Sequence, residues 1–298
     1  MSERRTQIEW PTLALMAGCY LVWAAATRVM ADMSLLLAVP VTALCITLHS
    51  SLQHEVLHGH PFRSRLLNET LVFLPLGLFF PYGRFRDLHL AHHKDENLTD
   101  PYDDPESNFV DPMVWGRLSK GIRLILTMNN TLMGRMVFGP ALSVVALVRS
   151  DLRAVARADR GIAREWILHG FGLGFLALWL WQTTMPFWAY ALSAYGGLSI
   201  LKIRTFLEHQ AHEHARARSV IVEGGRVLPF LFLNNNLHVV HHCKPGVAWY
   251  RLPALYAQNR PDWLRRNDGY HYPSYAAIFR QHFLRPKDPV PHPLRKTS

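Results

Sequence analysis

Four apolar stretches of membrane-spanning length, paired by very short turns, constrain this chain more than any other feature. A spanning helix needs about 20 mostly apolar residues. Residues 10–29 and 33–53 meet that length around the turn Met30–Asp32, and residues 165–183 and 185–203 meet it around Thr184. Two helical hairpins follow. The expected fold is all-α: a polytopic membrane bundle of about four transmembrane helices, with interfacial helices beside it. Shorter apolar runs at 71–80 and 136–148 are expected to lie in the interface, dip in partway, or add a further pair of spans. Composition agrees, with 49% hydrophobic and only 18% charged residues, a mix expected of a membrane protein that also carries sizeable polar parts.

Glu3, Arg4 and Arg5 ahead of an apolar run ending in Ala24-Ala25-Ala26 imitate a cleaved signal peptide. A second apolar helix follows at once and Trp10 suits an interfacial anchor, so a retained span is expected. The tight turns carry no Lys or Arg, whereas the long connections carry Arg63, Arg65, Arg84, Arg86 and Lys94, then Arg149, Arg153, Arg157, Arg160 and Arg164. Positive residues stay on the cytoplasmic side. The N-terminus and a polar cap formed by residues 54–164 and 204–298 are therefore expected in the cytoplasm, with the whole chain a single membrane-embedded domain. The net charge of +10 reads first as span-flanking charge and second as a docking surface for an acidic partner. No nucleic-acid partner is expected. The three cysteines, Cys19, Cys45 and Cys243, show no CxxC spacing, which argues against a disulfide framework or a cysteine zinc site.

The 17 histidines are the anomaly, because most fall in four short windows. The first is His54-Glu55-Val56-Leu57-His58, with His60 behind it. The second is His89-Leu90-Ala91-His92-His93. The third is Glu208-His209-Gln210-Ala211-His212, and the fourth is His238-Val239-Val240-His241-His242. Residues three and four apart share a helix face, so each HxxHH turn can offer three imidazoles to a metal. Neutral imidazole suits Zn, Cu, Fe and Ni, and so many imidazoles converging on one membrane surface call for two ions. Read alone, the first window is HExxH, a zinc metalloprotease signature with Glu as general base, but that leaves both HxxHH windows unexplained. A metal transporter or metal-binding membrane protein is the third reading. Transport sites lie near the bilayer midplane, whereas these histidines stand at span ends and in loops.

The order HxxxH, HxxHH, a span-ending Glu-His and a late HxxHH resembles the membrane fatty acid desaturase and hydroxylase superfamily, which includes acyl-lipid desaturases, carotenoid ketolases and hydroxylases, and alkane hydroxylases. The likeness runs from His54 to Pro253 and is strongest over Asn234 to Pro253, where Asn234, His238, His241, His242, Pro245, Trp249, Tyr250, Leu252 and Pro253 fit the pattern NxxxHxxHHxxPxxxWYxLP. Arg204 to His209 and the run Thr99 to Ser107 are similar to family elements as well. The resemblance implies nine iron ligands: His54, His58, His89, His92, His93, His209, His238, His241 and His242, with His212 as the alternative to His209. Glu55, Glu208 and Asp95 are candidates to hydrogen-bond the ligands, and one of Asn234, Asn235 and Asn236 is a candidate to hold an iron-bound water or cap the helix. His169, inside the third apolar stretch, reads as a buried neutral imidazole bonded to a backbone carbonyl. His60 and His214 read as surface residues or as partners of the ligands.

The cofactors so implied are two non-haem irons, with O₂ as co-substrate. The activity implied is desaturation of a fatty acyl chain or similar lipid, with hydroxylation or ketolation of a carotenoid, alkane or other lipid as the alternative. The three-residue gap in the first box is similar to the ketolase and hydroxylase branches. No GxGxxG follows a strand, and no haem, flavin or ferredoxin segment is recognisable. A separate ferredoxin- or rubredoxin-type carrier with an NAD(P)H reductase is therefore implied, in a bacterial inner membrane with the site facing the cytoplasm.

Overall fold

The computed structural model describes residues 8–94 and 98–295; Glu3, Arg4, Arg5 and Asp95 lie outside the described residues. Helices dominate. In chain order they are α1 (Trp10–Ala25), α2 (Ala31–Met33) after a π turn at Ala26–Met30, α3 (Leu35–Leu57), α4 (Arg65–Leu71), α5 (Tyr82–Lys94), α6 (Pro112–Arg117), α7 (Lys120–Asn129) and α8 (Leu132–Ala156). There follow α9 (Arg160–Trp181), α10 (Phe187–Thr205), α11 (Val227–Leu231), α12 (His238–Cys243), α13 (Leu252–Gln258), α14 (Arg260–Arg266) and α15 (Tyr275–His282). Two short strands, β1 (Ile221–Val222) and β2 (His271–Tyr272), pair in parallel. The chain divides into two compact units, Met1–Arg86 with Val144–Leu198 and Asp87–Ser143 with Ser199–Ser298.

In the first unit α1 packs against α3. Both are apolar nearly all round, and they are bridged by polar groups that would otherwise be orphaned away from water. Tyr20 Oη donates to the Leu71 carbonyl (2.8 Å) and lies 3.0 Å from His49 Nε2. Trp23 Nε1 donates to Tyr190 Oη (3.1 Å), which donates to the Leu76 carbonyl (3.0 Å). The α10 segment closes on α3 at Gly197, where an added Cβ would stand 2.9 Å from Ile46 Cγ2. Thr47 Oγ1 reaches the Gly197 carbonyl at 3.1 Å. A buried ion pair fixes the start of α5. Arg84 forks onto Asp151 with two 2.8 Å bonds, and Trp166 Nε1 adds a third at 2.9 Å. His169 accords with its sequence reading, its Nε2 lying 2.8 Å from the Leu78 carbonyl.

Among the described residues, three helices are long and apolar enough to cross a membrane: Trp10–Met33, Leu35–Leu57 and Leu132–Ala156. The first two coincide with the expected first hairpin. The third bears on 136–148, which the sequence leaves open between lying in the interface, dipping in and spanning: the helix carrying this short apolar run extends past Arg135 and Arg149 at either end and reaches a crossing length. Helices form over both stretches of the expected second hairpin, as α9 and α10. Neither carries as apolar a stretch as those three, because α9 opens on Arg160, Arg164 and Glu165, while α10 is rich in Gly, Ser and Tyr and ends on Lys202 and Arg204.

In the second unit a small core of Ile221, Leu237, Val239, Val240, Leu252 and Tyr256 backs helix α12. The backbone stitches the third and fourth windows together around it: Val220 N bonds Glu208 O (3.1 Å), Val239 N bonds Val220 O (3.2 Å), and Val222 N bonds Asn236 O (2.9 Å). The segment after α15 runs back along the loop that follows α5. His292 N donates to Val110 O at 2.9 Å, and Arg295 bridges Asp100 (2.9 Å) and Asp111 (3.1 Å).

Candidate metal centre

α5 ends on His89, His92 and His93, which the 3.6-residue repeat sets on one face. α12 does the same for His238, His241 and His242. The turn into α12 is built by Leu233 and Asn234, both left-handed (φ 50° and 57°), a region that asparagine tolerates and leucine adopts at a cost. Asn234 Nδ2 holds the Trp249 carbonyl at 3.0 Å, and Asn236 Nδ2 bonds the Val222 carbonyl at 2.6 Å. Asn235 Oδ1 lies 3.0 Å from His238 Nδ1. Of the three asparagines, Asn235 is therefore the one bonded to a box histidine.

Two groups of imidazoles form in the second unit. His92, His209, His238 and His242 each offer one ligand atom, all within 4.8 Å of one another. Their Nε2 atoms converge: His92–His209 3.0 Å, His209–His238 3.1 Å and His238–His242 3.0 Å. His89, His93 and His241 form the other group, with His93 Nε2 3.1 Å from His241 Nε2 and the His89 and His93 rings 4.6 Å apart. The groups adjoin, His93 and His242 stacking at 4.2 Å. In the first unit His54 and His58, at the end of α3, hold their rings 4.9 Å apart.

The outer nitrogens decide what this arrangement can do. His92 Nδ1 stands 2.8 Å from Asp104 Oδ1, and His89 Nδ1 stands 2.8 Å from Glu106 Oε1. A carboxylate accepts only, so each Nδ1 carries a proton, and in the neutral ring this leaves the Nε2 lone pair facing inward. Asn235 Oδ1 does the same for His238. Several inward lone pairs about 3 Å apart repel one another unless a cation sits among them, and imidazole donors of this kind suit iron, zinc or copper. The residues fit a metal. The fatty acid desaturase family model matches residues 33–274.

The chain belongs to the fatty acid desaturase family.

No curated protein matches it. In this desaturase-family chain the pKa shifts agree with a donor set. Burial holds His209, His238 and His242 well below the usual imidazole value, helped by their histidine neighbours. Burial likewise takes His93 down to about 3, reinforced by His89 and His92. His92 is the exception: burial lowers it, but Glu106, Asp104 and Glu208 outweigh that and raise it to about 9. Burial would raise Glu106, yet His89 and His92 hold its carboxyl well below the usual range. His93, His209, His238 and His242 thus stay neutral, as ligands must, whereas His92 holds a proton that a bound metal would displace, and the anionic charge lies in an outer layer.

The remaining sequence candidates divide. His209 stands inside the four-imidazole group, while His212 groups with His214 and Asp268 at the exposed surface. Glu208 Oε1 lies 2.9 Å from Arg204 Nε and 3.8 Å from His238 Nδ1, near a box histidine but turned toward the arginine. Glu55 Oε1 is 3.8 Å from His60 Nε2. His60 is fully buried, with its Nδ1 2.8 Å from Glu9. It belongs to a Glu9–His60–Glu55 chain, where the sequence suggested a surface residue or a partner of the ligands. Asp104 and Glu106 were not foreseen as ligand partners. The available signal was a pair of carboxylates following the second box at separations of 12 and 17 residues from His92 and His89.

Proposed function

We propose that this chain is a membrane di-iron oxidoreductase that uses O₂ and external electrons to desaturate a fatty acyl chain or a similar lipid. The observation that carries the reading is the convergence of the His92, His209, His238 and His242 ring nitrogens, with Asp104 and Asn235 behind them, in a chain of the desaturase family. Family membership itself implies an oxidoreductase. The proposed ligands are His92, His209, His238 and His242 for one iron, and His89, His93 and His241 for the other. His54 and His58 are added to the second set on the ground of the sequence resemblance.

Iron held by these imidazoles supplies O₂ activation and removal of hydrogen from an unactivated C–H bond. The chain's own residues do the rest. Asp104, Glu106 and Asn235 accept the Nδ1 protons of His92, His89 and His238, which fixes ring orientation and raises ligand basicity. Ser219 Oγ, 3.3 Å from His209 Nδ1, supports the fourth ring. Lys287 Nζ donates to the His209 carbonyl at 2.9 Å and to Tyr270 Oη at 3.0 Å, tying the C-terminal segment to that ligand. The reductant is a ferredoxin- or rubredoxin-type carrier fed by NAD(P)H, meeting a cytoplasmic face of the inner membrane.

The short first box, His54 to His58, favours a second reading on the same scaffold: hydroxylation or ketolation of a carotenoid, alkane or other lipid. The protease reading loses ground because Glu55, its general base, is drawn toward His60. Lipid analysis of cells expressing the chain, against a His241→Ala control, separates the rest. New double bonds that vanish in the control support the desaturase, and new hydroxyl or keto products support the second reading. An unchanged lipid profile in cells supplied with iron and a carrier system contradicts both.

A further inference from the structure

Helices α6 and α7 bury nothing. Among Pro112–Arg117 and Lys120–Asn129 every side chain is exposed or half-exposed, and neither helix has a buried residue. Yet the two carry Met113, Val114, Ile122, Leu124, Ile125 and Met128, all exposed. At 100° per residue, Ile122, Leu124, Ile125, Leu126 and Met128 of α7 fall on one side, while Lys120, Arg123 and Thr127 fall on the other. A soluble helix with such a stripe packs it against a core; this one does not.

The pair is nonetheless held as a unit. Arg123 Nε donates to the Leu118 carbonyl at 3.0 Å and Nη2 to the Gly116 carbonyl at 2.5 Å, while the guanidinium lies 5.7 Å from the Trp115 ring centroid. Asp111 caps α6 through Met113 N (2.8 Å) and is tied to Arg295. An apolar face is therefore presented on a braced element and left open.

Three observations say what covers it. The chain belongs to a membrane enzyme family and has three helices apolar enough to cross a bilayer. One of these, α8, begins at Leu132, three residues after α7 ends at Asn129, so α7 is tethered beside an apolar helix of membrane length. Arg117, Lys120 and Arg123 stand beside the apolar stripe with no acidic residue inside either helix, the charge pattern that attracts anionic headgroups. We propose that α6 and α7 lie flat in the interface of an anionic bilayer, with Ile122, Ile125 and Met128 among the acyl chains and Arg117 and Lys120 at headgroup phosphates. Residues 112–129 thus form a lipid-binding surface. It joins, through Asp111, Arg295 and Asp100, the loop whose Asp104 and Glu106 bond His92 and His89. The surface stands whether or not iron is bound.

The test uses the full chain in single-copy nanodiscs, with a nitroxide at Ile125→Cys or Thr127→Cys and the parent chain's own labelling subtracted. Collisions with O₂, which partitions into lipid, and with an aqueous nickel chelate are compared in phosphatidylcholine discs with and without phosphatidylglycerol. The expected result is a severalfold higher O₂-to-nickel ratio at 125 than at 127, rising further with phosphatidylglycerol. In R117E/K120E the rise with phosphatidylglycerol is lost. Equal aqueous exposure at 125 and 127 overturns the proposal. So does a position 125 shielded from both reagents, which would mean a protein covers it. Immersion that is indifferent to phosphatidylglycerol overturns the headgroup assignment.

Discussion

At the scale of single residues, the account rests on which imidazole nitrogen carries the proton. Asp104 and Glu106 set that for His92 and His89, so Asp104→Asn and Glu106→Gln are expected to weaken metal binding by about 10–100-fold each while leaving the helices intact. Iron titration of the chelated protein, with circular dichroism as the control, reads this directly; unchanged affinity in both variants would sink the orienting role. His209 and His212 offer a sharper contrast, since only His209 joins the four-imidazole group. His209→Ala is expected to lose iron and His212→Ala to keep it, as measured by metal content after purification. The reverse result would mean that the chain ligates through the surface residue. The HxxHH spacing alone identifies the second and fourth windows. It does not reveal how they exchange partners: His92 of one box groups with His238 and His242 of the other, while His89 and His93 group with His241. Such pairing is tertiary and leaves no mark on local periodicity.

At the scale of elements, α1 and α3 are legible because their apolar runs are unbroken. Helix α8 is not, because Arg135, Arg149 and Asp151 interrupt its composition, while Arg135 and Asp151 find partners in the fold and Arg149 is exposed. Asp151 is the clearest instance. It is 1% exposed and takes three hydrogen bonds, from Arg84 and Trp166. Removing one partner of a buried pair leaves the other charge uncompensated, at a cost of about 3–5 kcal/mol. Asp151→Ala is therefore expected to lower the thermal midpoint of the detergent-solubilised protein well below that of Arg153→Ala, which removes an exposed charge from the same helix. Equal midpoints would show that the pair does not hold the start of α5. The C-terminal segment carries His271, His282 and His292 singly and shows no histidine window. Its role in bracing the loop after α5 through His292 and Arg295 depends on contacts about 190 residues apart in sequence, beyond the reach of any local pattern.

At the scale of the whole molecule, the geometry limits the topology. His92 and His209 are 3.0 Å apart, so residues 92 and 209 stand on the same side of any bilayer and an even number of crossings separates them. Of α8, α9 and α10, two cross or none does. With the positive-inside asymmetry, α9 and α10 are the expected pair, the turn at 182–186 being outside and residues 54–58, 89–93 and 238–242 in the cytoplasm. Reporter fusions at Thr184 and Asp159 check this: periplasmic activity at the first and cytoplasmic at the second is expected, and the opposite assignment would place the histidines outside. The central claim, two irons in one histidine cage, is tested most directly by metal analysis of the purified full chain. The account predicts close to two irons per chain, with substantially less in His92→Ala and in His93→Ala. A single zinc per chain with no iron, unchanged in both variants, would contradict it.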